Sequence, residues 1–253
     1  MEKIFTESFQ EKIWSVGHFI EKEKPFLWIE TKNNTHVQWF SLSLDSKITQ
    51  EIPAPQSINK PLNWICSKGN IGVFSKLKSS KNPGIESIEA YDLRTGKLVY
   101  QIPCQFWFET KNEFILLEID KKNYWVNLSN GQFESEVELN NTQQFGELIV
   151  QNPEHYEESQ AFFKEFQDFF LLKFQEKIAK GIDYWEGKEK LIFSYYIYDQ
   201  GWKNYLKICD SDFVIEHQEL ISEGDLIGYN TFQIIENQLI YVKNKQQIVV
   251  YEY

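Results

Sequence analysis

Four acidic residues fall at or beside short strand-like runs: Glu109, Asp183, Glu186 and Asp225. Two carboxylates that flank a glycosidic bond can act as general acid and as base or nucleophile. Such a site also needs flat apolar platforms for sugar rings, and the chain holds 8 tryptophans and 13 tyrosines. No local pattern marks one of the four acids as proton donor and another as nucleophile. The other reactive residue types are sparse. His18, His36, His155 and His217 show no His-x-x-x-His spacing, and Cys66, Cys104 and Cys209 form no Cys-x-x-Cys pair. Metal ligation needs such clustering, so no metal is expected. A Gly-x-Ser-x-Gly elbow and a Gly-rich phosphate loop are both missing, and Gly69-Asn70-Ile71-Gly72 reads as a turn entering a strand. No cofactor is expected.

Charge narrows the partners. Lysine and arginine total 26 against 37 aspartates and glutamates, a formal charge of −11, and Arg94 is the one arginine. Nucleic-acid recognition relies on a positive field and on bidentate arginine contacts, so no nucleic-acid partner is expected. An anionic membrane surface is disfavoured for the same reason. No apolar run reaches the 18 residues that a spanning helix requires. The N-terminus has no basic start followed by an apolar stretch, so a cytoplasmic location is expected. Three cysteines far apart in sequence fit reduced, buried thiols better than a disulfide framework.

The elements that must position these residues read as repeated hairpins. Tyr91 to Pro103 is two alternating runs around Thr95-Gly96. Similar pairs run from Phe40 to Pro53, from Val126 to Phe133 and, more loosely, from Leu206 to Val214. Two further strand-like runs precede each hairpin, and the first of them carries an aromatic pair or single ring around Trp14, Trp64, Trp107 or Trp185. Recurrence at one repeat position predicts packing between units for these tryptophans. The unit is four strands in about 45 residues, the length of a propeller blade. A fifth unit begins near Tyr229 and reaches the C-terminus one strand short. Lys3 to Phe9 can supply that strand beside Gln247 to Tyr253, which removes an open sheet edge.

Between the third and fourth units lies one helical segment. Asn152 reads as its N-cap, Pro153 as its first residue and Gly181 as the residue past its end. Phe162, Phe163, Phe166, Phe169, Phe170 and Phe174 form a wide apolar stripe at helical spacing.

The segment Tyr91-Asp92-Leu93-Arg94-Thr95-Gly96-Lys97-Leu98 resembles the outer hairpin of propeller repeats of the broad quinoprotein and WD-repeat kind, although the chain has no Trp-Asp pair. The overall layout is similar to an uncharacterised bacterial family of unknown function, which carries no activity to transfer. The resemblance implies an all-β, propeller-like fold. It would have about five four-stranded blades closed by the N-terminal strand. A single domain would span 1–253, with a helical insertion at 140–181 whose helix occupies about 153–180. Propellers commonly bind partners at one rim, and some five-bladed ones are glycosidases.

The reading that follows is a non-enzymatic scaffold that binds a protein partner or a small ligand at the rim. The alternative is an enzyme, such as a glycoside hydrolase, working in a central channel with paired carboxylates. The candidate contact surface is Tyr156, Phe163 and Phe170 on the insertion, which would rise beside the channel mouth.

Overall fold

The structure, a computed structural model, describes residues 2–252 apart from 55–61, 80, 112, 135–148, 225–227 and 229. Its fold is all-β and propeller-like in its succession of antiparallel meanders, with one helix. Strand β1 (Glu2–Ser8) opens the chain and pairs at its far end. The first sheet is β2 (Lys12–Glu21), β3 (Lys24–Lys32), β4 (Val37–Ser43) and β5 (Thr49–Ile52). The second is β6 (Leu62–Lys68), β7 (Ile71–Ser79), β8 (Asn82–Asp92) and β9 (Lys97–Pro103). The third is β10 (Phe106–Lys111), β11 (Phe114–Ile119), β12 (Lys122–Asn127) and β13 (Phe133–Glu134). Two short strands follow, β14 (Val150–Gln151) and β15 (Glu154–Glu157), then the helix α1 (Ala161–Phe174). The fourth sheet is β15 with β16 (Ala179–Glu186), β17 (Lys190–Tyr198), β18 (Trp202–Asp210) and β19 (Ile215–Gly224). The fifth has the order β1-β22-β21-β20-β14, with β20 (Phe232–Ile235), β21 (Gln238–Lys243) and β22 (Gln247–Glu252).

The expected closure is present. β1 runs antiparallel to β22, with Thr6 opposite Val249 and Ser8 opposite Gln247. The chain divides into two compact units, Glu11–Leu148 with the first three sheets and Met1–Gln10 plus Ile149–Tyr253 with the last two. No helix among the described residues is long and apolar enough to cross a membrane.

Each outer hairpin turn is made by a short polar side chain that bonds its own backbone, which frees the chain from a regular ladder. Asp92 Oδ1 accepts the N–H groups of Arg94 (2.9 Å) and Thr95 (3.1 Å). Asn127 Oδ1 accepts from Ser129 (2.9 Å), and Asp210 Oδ1 from Asp212 (3.0 Å) and Val214 (2.8 Å). The residue after the capping side chain turns back to the neighbouring loop. Leu93 N–H donates to Asn70 O (2.8 Å), Leu128 N–H to Glu113 O (2.7 Å) and Leu44 N–H to Pro25 O (3.0 Å). All three leucines are buried.

These turns also set the spacing of successive sheets within each unit. Gly96 has φ +67°, and a Cβ there would lie 1.8 Å from Pro53 O, just beyond β5. Gly131 has φ +73°, and its Cβ would meet the Tyr100 ring of β9 at 2.7 Å. Both positions need glycine for conformation and for room. In the other unit the β21–β22 turn docks by a hydrogen bond instead, from Asn244 N–H to Ile221 O of β19 (2.8 Å).

Aromatic rings fill the space between the first two sheets. Trp28 stacks on Trp64 with centroids 5.0 Å apart, and Trp39 stacks on Phe74 at 5.1 Å. Phe19, Trp28, Trp39, Phe74 and Tyr91 belong to this core. Trp64 reaches it because Gly17 leaves room: a Cβ at 17 would stand 2.4 Å from the indole. Trp107 and Trp185 are half-buried against their own cores. Trp14 departs from the expected packing at 63% exposed. It sits where β2 shifts register between Ile13 and Ser15, and such a bulge re-aims a side chain. Its ring takes Lys32 Nζ at 4.7 Å instead.

The Gly17 contact gives a direct test. Gly17→Ala forces a methyl group into the Trp64 ring, and overpacking of this kind costs about 1–3 kcal/mol. Urea unfolding should show a lower midpoint with an unchanged slope.

Candidate functional site

The segment expected to begin the helix is extended. Pro153 is buried and separates two strands, with Val150 pairing opposite Ile235 of β20 and Glu154 opposite Tyr184 of β16. These two inner strands offer unpaired edge groups, and satisfying them outweighs the local helix-start signals of Asn152 and Pro153. Asn152 Oδ1 accepts from Gln233 Nε2 at 2.9 Å rather than capping a helix. The helix itself occupies Ala161–Phe174, the middle of the expected 153–180. Its N-cap is Gln160, and Gln175, at φ +59°, ends it in the left-handed conformation expected at Gly181. Gly181 lies in β16, and residues 140–148 of the expected insertion fall outside the described residues.

Strand alternation gives β15 and β16 two chemically different faces. One carries Glu154, Tyr156, Tyr184 and Glu186. There the Tyr156 hydroxyl donates to Glu154 and the Tyr184 hydroxyl to Glu186 Oε2 at 2.6 Å. Burial, then the bond to Glu186, holds the Tyr184 hydroxyl above its ordinary range. The opposite face carries His155, Asp183 and Trp185. His155 Nδ1 lies 2.6 Å from Asp183 Oδ1, while Thr231 donates its N–H (2.8 Å) and its hydroxyl (2.7 Å) to Asp183 Oδ2. Asp183 is buried, and both its oxygens are engaged in joining three chain segments.

Two of the four candidate acids, Asp183 and Glu186, share a strand. Asp183 and Glu186 project from opposite faces of β16. Glu109 is exposed on β10 of the other unit, and Asp225 lies outside the described residues. His155 partners Asp183. Among the described residues no group of three or more His, Cys, Asp or Glu could hold a metal ion.

The helix is fastened to the fourth sheet by one face. Phe163 and Phe170, expected in a contact surface, are 1% and 0% exposed and pack among Ile178, Ile182, Phe193, Tyr195 and Cys209. Tyr156 is half-buried against Phe166, with centroids 5.2 Å apart. The geometry thus corrects the expected surface, because two of its three rings belong to the core. The pattern of six phenylalanines hid the strongest anchor. Lys207 of β18 is fully buried, with its Nζ 2.7 Å from Glu176 Oε2 and 3.8 Å above the Phe174 ring. Phe170 and Tyr195 complete an aromatic surround at 5.4 and 5.3 Å. A buried ammonium requires such a partner and gains from the ring faces. The apolar neighbours Leu206 and Ile208 show that β18 is a core strand, but no sequence signal tells where the Lys207 cation goes.

The solvent side of α1 is different. Its last turn touches the β18–β19 turn, with Phe169 on Phe213 at 4.9 Å and Lys173 Nζ 3.5 Å from Asp212 O. These two touching elements expose Leu171, Leu172 (84%), Val214 (60%) and Ile215. A separate cavity of about 540 Å³ opens where Gln151 of β14 meets the β16–β17 turn beside Trp185.

No family model matches the chain, and no curated protein matches it in sequence. One solved structure, titled AfRom2 CNH domain, aligns over 96% of this chain and 81% of its own at 11% identity, with a TM-score of 0.27. That likeness is too low to argue from, and the fold assignment rests on the strand pairing.

Two predictions follow from the packing. Lys207→Ala leaves Glu176 without its ammonium and opens a hole under Phe174, and breaking such a pair costs about 3 kcal/mol. Thermal unfolding should show the loss, with the far-UV strand signal kept at low temperature. The thiols supply the second. Burial pushes Cys66 from 9.0 up to about 12, and raises Cys104 and Cys209 to about 11. The native thiols stay protonated at neutral pH, so iodoacetamide should label them slowly until the chain is unfolded. Above pH 9 the unfolded chain loses thiol protons that the native state keeps. Stability should then fall as pH rises from 9 toward 12, measurable as a falling urea midpoint.

Proposed function

We propose that the protein is a non-enzymatic binding scaffold, and that a protein partner meets it on the patch formed by the end of α1 and the β18–β19 turn. One observation carries this reading. Leu171, Leu172, Val214 and Ile215 are exposed together on two elements that touch. Single exposed apolar residues are ordinary, but several on adjoining elements mark an interaction surface. The contact residues proposed from the sequence are replaced in part: α1 remains the contact element, while Phe163 and Phe170 supply its anchorage and Tyr156 lies at its other end.

The geometry of the acids favours binding over hydrolysis. A glycosidase holds its two carboxyl groups about 5–9.5 Å apart on either side of one bond. Asp183 is consumed by His155 and Thr231 and faces away from Glu186. Neither oxygen of Asp183 is left to take or give a proton to a substrate.

A paired substitution tests the patch. Leu172→Glu with Val214→Glu changes only exposed positions, where stability effects stay within about 0.5 kcal/mol. The variant should melt with the parent protein yet lose the partner that site-specific crosslinking from position 171, exposed and unaltered in the variant, captures from source cells. Leu98→Glu, an exposed position in the other unit, should keep it. Equal capture by all three proteins would overturn the proposal.

A further inference from the structure

A row of four rings crosses from the start of α1 to the strands β15 and β16. Phe162 meets Tyr156 with centroids 6.1 Å apart, Tyr156 meets Phe166 at 5.2 Å, and Phe166 meets Tyr184 at 5.5 Å. Phe166 packs on the core under the helix, so the row is anchored at its middle. Its outer end is open. Phe162 is 61% exposed, and among the described residues Tyr156 is its one ring neighbour. Each tyrosine hydroxyl donates to a carboxylate two positions away on its own strand, Tyr156 to Glu154 and Tyr184 to Glu186. Glu154 also stands directly opposite Tyr184 in the β15–β16 register. Both carboxylates therefore border the same row of rings, and both are exposed.

The charges of this face select its occupant. Burial and the bond to Glu186 raise the Tyr184 hydroxyl, and the charges of Glu186, Tyr156 and Glu154 add to that rise, so all four polar groups act on one another. The neighbouring cations are committed elsewhere. Lys180 pairs with Glu158 and lies over Trp202, and Lys190 pairs with Glu216. Lys188 follows in the turn beyond Glu186, and among the described residues it pairs with neither carboxylate. Lys164 is two residues from Phe166, which puts it on the opposite side of α1. The face is thus acidic, on a chain of net charge −11, and its complement is a cation.

The free oxygens narrow the cation further. Each carboxylate spends Oε2 on a phenol, which leaves Oε1 to accept. A guanidinium fork seats on both oxygens of one carboxylate, whereas an ammonium has three rotatable donors and can take one oxygen from each of two. A hydrated metal ion makes no use of the rings. The methylene stem of a lysine does, since it can lie on apolar surface while its head reaches the acids. We infer that this face receives the side chain of an exposed lysine on a protein partner, with the ammonium held by Glu154 and Glu186 and the stem along Phe162 and Tyr156. Phe162 stands about 15 Å along α1 from Leu172, so the site is separate from the patch at the other end of the helix and does not rest on it.

The test follows the backbone amide signals of Tyr156 and Tyr184 by NMR in the intact, isotope-labelled protein. The probe is a capped Gly-Ser-Lys-Ser-Gly peptide, and its controls are the same peptide with the lysine acetylated on Nζ and with arginine in place of lysine. The lysine peptide should shift both signals along one saturation curve, with a Kd on the order of 1 mM. Both controls should bind about tenfold more weakly or not at all. Glu154→Gln and Glu186→Gln should each weaken the lysine peptide about tenfold, the worth of one charged hydrogen bond, while melting like the parent. The Leu172→Glu, Val214→Glu protein should bind the peptide as the parent does, so failure of one site is not failure of the other. The absence of a saturable shift, equal binding of the acetylated or the arginine peptide, or unchanged affinity in both glutamate variants would overturn the inference.

Discussion

Four strands cannot bury both faces of their own sheet, so within each unit the meanders stabilise one another, and in the three-sheet unit the contact that fixes their distance is the docked outer turn. A turn glycine without a Cβ lets the hairpin of the second sheet sit on Pro53, and that of the third on Tyr100. Tyr100 answers with its own hydroxyl on Leu128 O at 3.0 Å. In the other unit Asn244 N–H reaches Ile221 O. Once the turns are docked, the rings between the sheets have one depth available to them. Trp64 then has to lie flat on Trp28 and over Gly17, and Phe74 has to stand between Trp39 and Tyr91. The spacing of the sheets and the packing of the core are thus one constraint seen at two ends.

This explains which parts of the fold were legible in the sequence. A capped turn is local: Asp92, Thr95 and Gly96 lie within five positions, and so do Asn127, Ser129 and Gly131. The same chemistry that a reader recognises in the string is what the backbone uses. Closure by β1 was legible for a related reason, since a unit one strand short has to find the strand elsewhere. The helix begins later than its local start signals imply, because those signals are real but outweighed. Asn152 and Pro153 would begin a helix in an isolated peptide, yet β20 and β16 each present an edge to residues 150–157, and long-range pairing decides. The cavity was illegible for a different reason, distance. Gln151 and Trp185 are far apart in sequence and come from different sheets, so no spacing rule could have joined them at one cavity.

The candidate acids show the difference between a residue type and a site. Asp183 has the setting that often marks catalysis, a buried carboxylate against a histidine. Its second oxygen, though, is given to the backbone and hydroxyl of Thr231 at the start of the last sheet. Such an aspartate works as a staple between the strands of one unit. Lys207 is the matching case on the other face, a buried cation whose work is to hold the end of α1 through Glu176. Both groups are costly to bury, and both are fully partnered. In this unit the buried charged chemistry is spent on fastening segments that regular strand pairing does not reach.

What is left for recognition is therefore at the surface, and it is rigid because of that fastening. α1 has one face locked by Phe163, Phe170 and the Lys207–Glu176 pair, so its opposite face is presented in a fixed pose. If the proposed partner docks on Leu172 and Val214, it meets a support with little ordering cost. A loosely held helix could fold its leucines inward and hide them. The buried lysine prevents this, because any roll of α1 that covered Leu172 would pull Glu176 off Lys207 and lift Phe170 out of the core. The exposure of the patch follows from the anchoring of the helix, and neither can be altered without the other.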